Sequence, residues 1–258
     1  MLRSRIIPSL LIHKKGLVKT VNFKDPKYVG DPINAVRIFN EKEVDELIVL
    51  DIDASAEKRG PNFEMIKNLA TECRMPFCYG GGVTSVEDAK KIISLGAEKV
   101  ALSTTALLNL PMLKSIGNEV GVQSVVVVID VRKRGFLAGG GYDIYYNNGK
   151  NKASIKLKDF IERLNEIGVG EIVINSIDQD GTMKGYDIEL ISLVREMTNV
   201  PITALGGAES LNDVKKLIQK FKIIGAAAGS LFVFKGKYRA VLINYPNRVE
   251  KVKFFKEL

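Results

Sequence analysis

The sequence predicts a closed barrel of eight parallel strands, each followed by a helix: a single (β/α)8 barrel domain over residues 1–258. Three observations predict it. Short apolar or β-branched runs alternate with longer helical patterns, which implies βα units and a parallel sheet. The runs are nearly continuous in apolar character, as strands covered on both faces are. Eight such units fit a chain of 258 residues, the size of one α/β barrel, and no linker divides them.

Taken in order, the first strand is Ile6–Ile12. The start of the chain, Met1-Leu2-Arg3-Ser4-Arg5, is briefly basic before this apolar run, which stops at His13-Lys14-Lys15 without a small-residue cleavage site; it reads as a strand rather than a signal peptide. A helical pattern follows over Pro32–Lys42, then a second strand near Glu46–Leu50 and a third near Phe77–Tyr79. Helical Ser85–Ser94 leads to strand four, Lys99–Leu102, and strand five covers Ser124–Ile129. The Gly-, Asn- and Tyr-rich stretch Arg132–Lys152 reads as a long loop or hairpin. Helical Leu157–Ile167, strand six at Glu171–Asn175, helical Ile188–Met197, strand seven at Pro201–Ala204, helical Ser210–Gln219 and strand eight at Ile224–Ala228 complete the series.

The chain also repeats at half its length. Pro76–Asp88 and Pro201–Asp213 share Pro, a Gly-Gly pair, Ser and Asp at an offset of 125 residues. Asp51-Ile52-Asp53 after strand two is echoed by Asp178-Gln179-Asp180 after strand six. A repeat of four βα units implies two symmetry-related sites on one rim.

Composition narrows the function classes. A fold of this size buries roughly 70–75% of the surface its unfolded chain exposes, so it needs no disulfide or metal staple. No apolar stretch approaches the roughly 18 residues of a membrane span, so no membrane partner is expected. Cys73 and Cys78 fit no zinc spacing and read as reduced thiols of a cytoplasmic protein. The net charge of +8 suits an acidic partner or phosphorylated substrates. Nucleic acid is not expected, because the cations are scattered, as in Lys90-Lys91 and Lys215-Lys216, without an aromatic-plus-basic motif.

Sites of such barrels lie on the loops after the strands. Four Gly-rich elements fall there: Gly80-Gly81-Gly82, Asp180-Gly181-Thr182, Gly206-Gly207 and Gly229-Ser230, the last at the start of a short helix. Glycine lets backbone N–H groups approach a phosphate, and a helix N-terminus favours negative charge. Any one of these glycines could serve a tight turn alone; four at matching places in two half-barrels point to two phosphates.

These elements, with Arg5-Ile6-Ile7-Pro8, Val21-Asn22-Phe23, Gly30-Asp31-Pro32, Gly96-Ala97-Glu98-Lys99-Val100, Ile129-Asp130 and Gly185-Tyr186-Asp187, carry a resemblance over nearly the whole chain. The sequence resembles the cyclase subunit of imidazole glycerol phosphate synthase, as a divergent relative. The resemblance implies a glutaminase subunit docked at the N-terminal barrel face, ammonia passing through the barrel, and a two-phosphate ribulosyl aminoimidazole nucleotide at the C-terminal face, cleaved and cyclised between two aspartates. It implies phosphate or substrate contacts at Lys19, Gly81, Gly82, Thr104, Asp180, Gly181, Gly206, Gly207, Gly229 and Ser230, and an ammonia gate of Arg5, Glu46, Lys99 and Glu171. Barrel bottoms also carry such salt bridges for stability alone, and Lys19 could be plain surface charge.

The carry-over is uneven. The strand-five aspartate is Asp130, but Leu11 stands where the strand-one aspartate belongs. An isobutyl group cannot transfer a proton, and general acid–base catalysis contributes roughly 10²–10⁴-fold. Leu205, Ser103 and Asn175 replace a serine, an asparagine and a threonine of the family pattern. Three functions follow: a cyclase-like subunit that conducts ammonia to another acceptor, such as a third enzyme installing an amidino group on a surface sugar; a working histidine-biosynthesis cyclase, with His13 as substitute acid; or a non-catalytic phosphate-binding scaffold. No metal cluster, P-loop or dinucleotide fingerprint is visible, so no bound cofactor or metal is expected.

Overall fold

The computed structural model describes residues 3–135 and 139–256. Eight parallel strands form the barrel: β1 (Arg5–His13), β2 (Leu47–Asp51), β3 (Phe77–Gly80), β4 (Lys99–Leu102), β5 (Val125–Lys133), β6 (Glu171–Ser176), β7 (Ile202–Leu205) and β8 (Gly225–Ala228). Each pairs with its neighbours in chain order, from β1–β2 through β5–β6 to β7–β8. Arg5 opposite Gly225 and Ile6 opposite Ala226 then close β1 onto β8. Eight helices surround them: α1 (Pro32–Glu41), α2 (Phe63–Glu72), α3 (Val86–Ser94), α4 (Leu110–Val120), α5 (Leu157–Ile167), α6 (Ile188–Met197), α7 (Leu211–Phe221) and α8 (Arg248–Lys256).

Alternation along each strand divides the core in two. Ile6, Phe77, Val125 and Ile172 point outward and meet Phe39, Ile66, Phe160 and Leu217 from the helices. Ile7, Ile48, Cys78, Ala101, Val126, Val128, Val173 and Ala227 point inward and make a separate apolar filling. Among the described residues no helix is long and apolar enough to cross a membrane.

The half-length repeat survives as matched helix starts. Ser85 caps α3 and Ser210 caps α7, and in each the third residue of the helix, Asp88 or Asp213, accepts the cap's own backbone N–H at 3.1 and 3.0 Å. A capping box satisfies two orphan donors at once and fixes where the chain turns from strand to helix.

Several elements differ from the sequence reading. The first loop is a two-stranded ribbon, Gly16–Val21 against Lys24–Gly30, that continues antiparallel from β1. Strand five does not stop at Ile129: it runs to Lys133, because Tyr142–Tyr146 folds back on it and pairs Asp130 with Tyr145. Of the expected loop Arg132–Lys152, residues 136–138 lie outside the described residues, as do Met1 and Leu2. Helices α2, α4 and α8 were not read from the sequence, nor was the short helix Thr104–Leu108.

Candidate functional site

At the C-terminal ends of the strands a cavity opens among residues from all eight βα units. Its lining brings together Leu11, Lys19, Gly81, Gly82, Thr104, Asp130, Asp180, Gly181, Gly206, Gly207, Gly229 and Ser230, so the residues read as phosphate or substrate contacts meet Asp130 and Leu11 at one mouth. The glycines there are sterically required. Gly81 and Gly82 have φ +127° and +71°, and a Cβ on them would lie 2.6 Å from Asp51 O and 2.5 Å from Arg59 O. Their half-barrel counterparts Gly206 and Gly207 have φ +98° and +100°, and a Cβ on Gly207 would meet Gly185 O at 2.1 Å. These conformations serve tight turns and also bare the backbone toward the cavity.

Lys19 is buried rather than a surface charge. It stands on the first ribbon strand, 5% exposed, and its Nζ donates to Ser9 O at 2.6 Å. The ammonium also fills the space beside Gly229, where an added Cβ would come within 2.4 Å of it. Burial lowers its pKa to about 8, against the attraction of Asp180. A cation sits badly against the start of the short helix Ser230–Val233, whose end carries partial positive charge; an anion between them relieves both.

Asp180 ties the ribbon down. Its carboxylate accepts from the Thr20 hydroxyl at 2.7 Å and its carbonyl from Asn22 N at 2.9 Å, while Asn22 Nδ2 donates to Ile177 O and Asp178 O. Burial pushes its pKa up, opposed by Thr20 and Lys19. The ribbon therefore lies folded across the β6 loop and covers one side of the mouth. Thr104 is engaged from the other side, where its hydroxyl accepts from Asn147 N at 3.2 Å.

Asp130 lies within β5, 8% exposed. Burial is the main reason its pKa rises to about 7; the charge of Asp180 adds to this and the Asn175 amide opposes it. Asn175 Nδ2 donates to Asp130 Oδ1 at 2.9 Å. Leu11 and Leu50, registered across β1 and β2, and Leu205, registered with Asn175, present alkyl groups to the same cavity. His13 is not a free loop side chain: it ends β1, and its Nδ1 lies 2.7 Å from Asp53 Oδ1. Asp53 is held in turn by Lys14 N at 2.8 Å, and neither His13 nor Asp53 lines the cavity. Asp51 accepts both Arg59 Nη1 and Nη2, at 2.8 and 2.9 Å, and serves the loop.

At the opposite end, Arg5, Glu46, Lys99 and Glu171 form one closed ring. Arg5 pairs with Glu46 and, at 2.8 Å, with Glu171; Lys99 pairs with Glu46 at 2.7 Å and Glu171 at 2.8 Å. Thr203 donates its hydroxyl to Glu171. Both carboxylates are nearly fully buried, and each is bridged to two cations, which keeps Glu171 ionised below the usual carboxylate range despite burial. Alternating signs leave no uncompensated charge. Among the described residues no group of His, Cys, Asp and Glu is placed to hold a metal ion.

Comparison with known proteins gives a consistent result. The family model for histidine biosynthesis protein matches residues 5–239. A provisionally named imidazole glycerol phosphate synthase subunit from Vibrio vulnificus (strain YJ016) is 53% identical over 98% of this chain and 96% of that protein. A similarly named Leptospira borgpetersenii protein is 52% identical over 99% and 100%. The imidazole glycerol phosphate synthase subunit of Lactococcus lactis subsp. lactis (strain IL1403) is 37% identical over 97% and 98%.

Proposed function

The chain belongs to the histidine biosynthesis protein family, as a divergent member of its imidazole glycerol phosphate synthase cyclase subunits, and from that premise we propose that it conducts ammonia rather than cyclises. In this reading a glutaminase docks at the N-terminal face, below the ring of Arg5, Glu46, Lys99 and Glu171. Ammonia enters there, crosses the apolar interior and leaves at the mouth for an acceptor other than the histidine precursor. That acceptor is a third enzyme, such as one that installs an amidino group on a surface sugar.

The observation that carries the reading is the two-sided mouth. Asp130 stands with a pKa near the operating range of a general acid or base, but the wall opposite is Leu11 and Leu50. Asp130 therefore has no second proton-transfer side chain across the cavity, and losing one general acid or base group costs roughly 10²–10⁴-fold. His13 does not supply the missing group, because it is hydrogen-bonded to Asp53 away from the cavity lining. A phosphorylated ligand is still accommodated: Gly81, Gly82 and Thr104 would receive one phosphate, and Gly206, Gly207, Gly229 and Ser230 with Lys19 the other.

An acceptor docked over the mouth would meet a basic surface. The first ribbon and the hairpin Phe234–Lys235/Ala240–Val241 are neighbours, with Lys27 Nζ 5.6 Å from the Phe234 ring centre. They expose Lys14, Lys15, Lys24, Lys27, Lys235, Lys237 and Arg239 against Asp25. Such a rim favours a partner with an acidic surface and speeds its approach at low salt.

The test is direct. The chain is mixed with the two-phosphate ribulosyl aminoimidazole nucleotide and excess ammonium at alkaline pH, and loss of substrate absorbance is followed. No turnover is expected, while the nucleotide or plain phosphate still protects the fold against heat. The Leu11→Asp variant is expected to gain measurable cyclisation. Turnover by the unaltered chain near that of an ordinary cyclase subunit would sink the proposal.

A further inference from the structure

Ser103, Asp130 and Asn175 come from three consecutive strand ends, β4, β5 and β6, and all three line the mouth just above the apolar interior. Their hydrogen bonding is incomplete. Asn175 donates to Asp130, which leaves its own Oδ1 buried without a donor although the residue is only 5% exposed. Ser103 Oγ lies beside the same carboxyl without completing a hydrogen bond, and it too is buried and unpartnered. Buried polar groups are paired in the great majority of cases, and leaving one unmade costs about 1–3 kcal/mol. Two unpartnered buried atoms beside one carboxylate therefore call for a small donor.

The surroundings define that donor. Facing the three polar groups are Leu11, Leu50 and Leu205, and below them Val128, Ala101 and Cys78. A hydrated metal cation or a sugar hydroxyl array finds no further partners on this leucine wall. The neighbouring cation, Lys19, is bound to Ser9 O. The groups there are a carboxylate, an unpartnered amide oxygen and an unpartnered hydroxyl. Water brings two N–H or O–H donors' worth of capacity; ammonia brings three and ammonium four. A donor-rich nitrogen of that size fits the set, against an apolar leucine wall.

We propose that Ser103, Asp130 and Asn175 form a holding site for ammonia or its ammonium form at the upper end of the barrel interior. The purpose of such a site rests on the ammonia-conducting reading; its existence does not. Asn175 Oδ1 and Ser103 Oγ accept N–H groups, and Asp130 pairs with the ammonium or, when protonated, donates to the ammonia lone pair. The polar half of the mouth thereby retains the nitrogen until an acceptor covers the opening.

The full chain, labelled with carboxyl-13C aspartate, is titrated by NMR in ammonium chloride, potassium chloride or sodium chloride at equal ionic strength, following Asp130 with Asp180 and Lys19 as the nearby titrating groups. Ammonium is expected to lower the Asp130 midpoint saturably, by about one pH unit if it binds the ionised form roughly tenfold better. Sodium and potassium are expected not to. Asn175→Leu should abolish the ammonium-specific shift and Ser103→Ala should reduce it several-fold, each with its melting temperature measured; Asn175→Thr replaces the first variant if it does not fold. Equal shifts in potassium and ammonium would overturn the proposal in favour of a plain cation site. So would no ammonium-specific shift, or one that persists without Asn175. Either result would leave the conduit reading standing, because that reading is tested separately, by cyclisation of the nucleotide and by the route that glutamine-derived ammonia takes.

Discussion

Asp130 and Lys19 are buried ionisable side chains, and burial moves them in opposite directions: the carboxyl up to about 7, the ammonium down to about 8. Both shifts are linked to stability. For Asp130 the folded state holds its proton more tightly than the unfolded state, so its contribution is fully present below the ordinary carboxylate pKa near 4 and is lost as pH rises through about 7. For Lys19 the folded state binds its proton less tightly, so its burial costs stability below about 8 and that cost is relieved as pH rises toward the ordinary lysine value. Asp130→Asn removes the first effect and keeps the shape. It is expected to raise the melting temperature relative to the unaltered chain most at pH 8 and less at pH 5. The gap corresponds to at most about 4 kcal/mol, and relaxation of the site will reduce it. Melting curves across pH 5–9 check this; a variant that is equally stable relative to the parent at both ends would mean that Asp130 is better solvated than its 8% exposure indicates. The residue scale is also where the sequence was most informative. The paired glycines were legible from their recurrence at half the chain's length, whereas Asp130 and the ring of Arg5, Glu46, Lys99 and Glu171 were legible through the family resemblance. Burial of Lys19 was not, because nothing local in Val18-Lys19-Thr20 distinguishes a lysine that reaches Ser9 from one that reaches solvent.

Among the elements, the ribbon Gly16–Gly30 is tied to the loop after β6 at one side of the mouth, and it was invisible in sequence. Its strands are short and carry Lys24, Asp25 and Lys27, and its turn is Asn22-Phe23, both at positive φ (51° and 64°) without the glycine that normally marks such a turn. Helices α2 and α4 were missed for milder reasons. Each buries two or three residues only, and Gly117 interrupts the apolar pattern of α4. Strands β1–β8 were legible because both faces are covered, so nearly every position is apolar. The ribbon's closed position rests on a close approach: a Cβ at Gly181 would come within 1.9 Å of Thr20 O, and Gly181 has φ +68°. Gly181→Ala is therefore expected to lift the ribbon from the β6 loop and break the Thr20–Asp180 and Asn22–Asp180 bonds. The backbone hydrogen exchange of Leu17–Val29 should rise by an order of magnitude or more, with the barrel strands unchanged, since a ligand-covering segment opens locally rather than with the whole fold. Unchanged exchange in the ribbon would mean that the loop after β6, not the ribbon, gives way.

For the whole molecule, the two ends have different chemistry and the apolar interior connects them. The lower ring is fully paired, so removing one member leaves buried charge behind; Lys99→Met strands Glu46 and Glu171 on Arg5 alone and should cost a few kcal/mol, a figure of about 3–5 for breaking a well-buried pair being reduced by the 19% exposure of Lys99. Passage through the interior is tested by a perturbation that leaves both ends intact. Ala227 offers one: it is 0% exposed on β8, packs in the interior set with Ile7 and Cys78, and touches neither the ring nor the mouth residues by hydrogen bonding. Ala227→Leu fills that space, and overpacking of this kind costs about 1–3 kcal/mol, which a barrel of this size tolerates. If ammonia travels through the interior, the variant reconstituted with its glutaminase and an acceptor enzyme should lose most glutamine-driven amination while keeping amination driven by free ammonium, which reaches the mouth from solvent. The ratio of the two rates is the readout, because a general loss of folding lowers both together. A variant in which glutamine and ammonium support the acceptor in the same proportion as in the parent would place the route outside the barrel, and the ring of Arg5, Glu46, Lys99 and Glu171 would then be a device of stability alone.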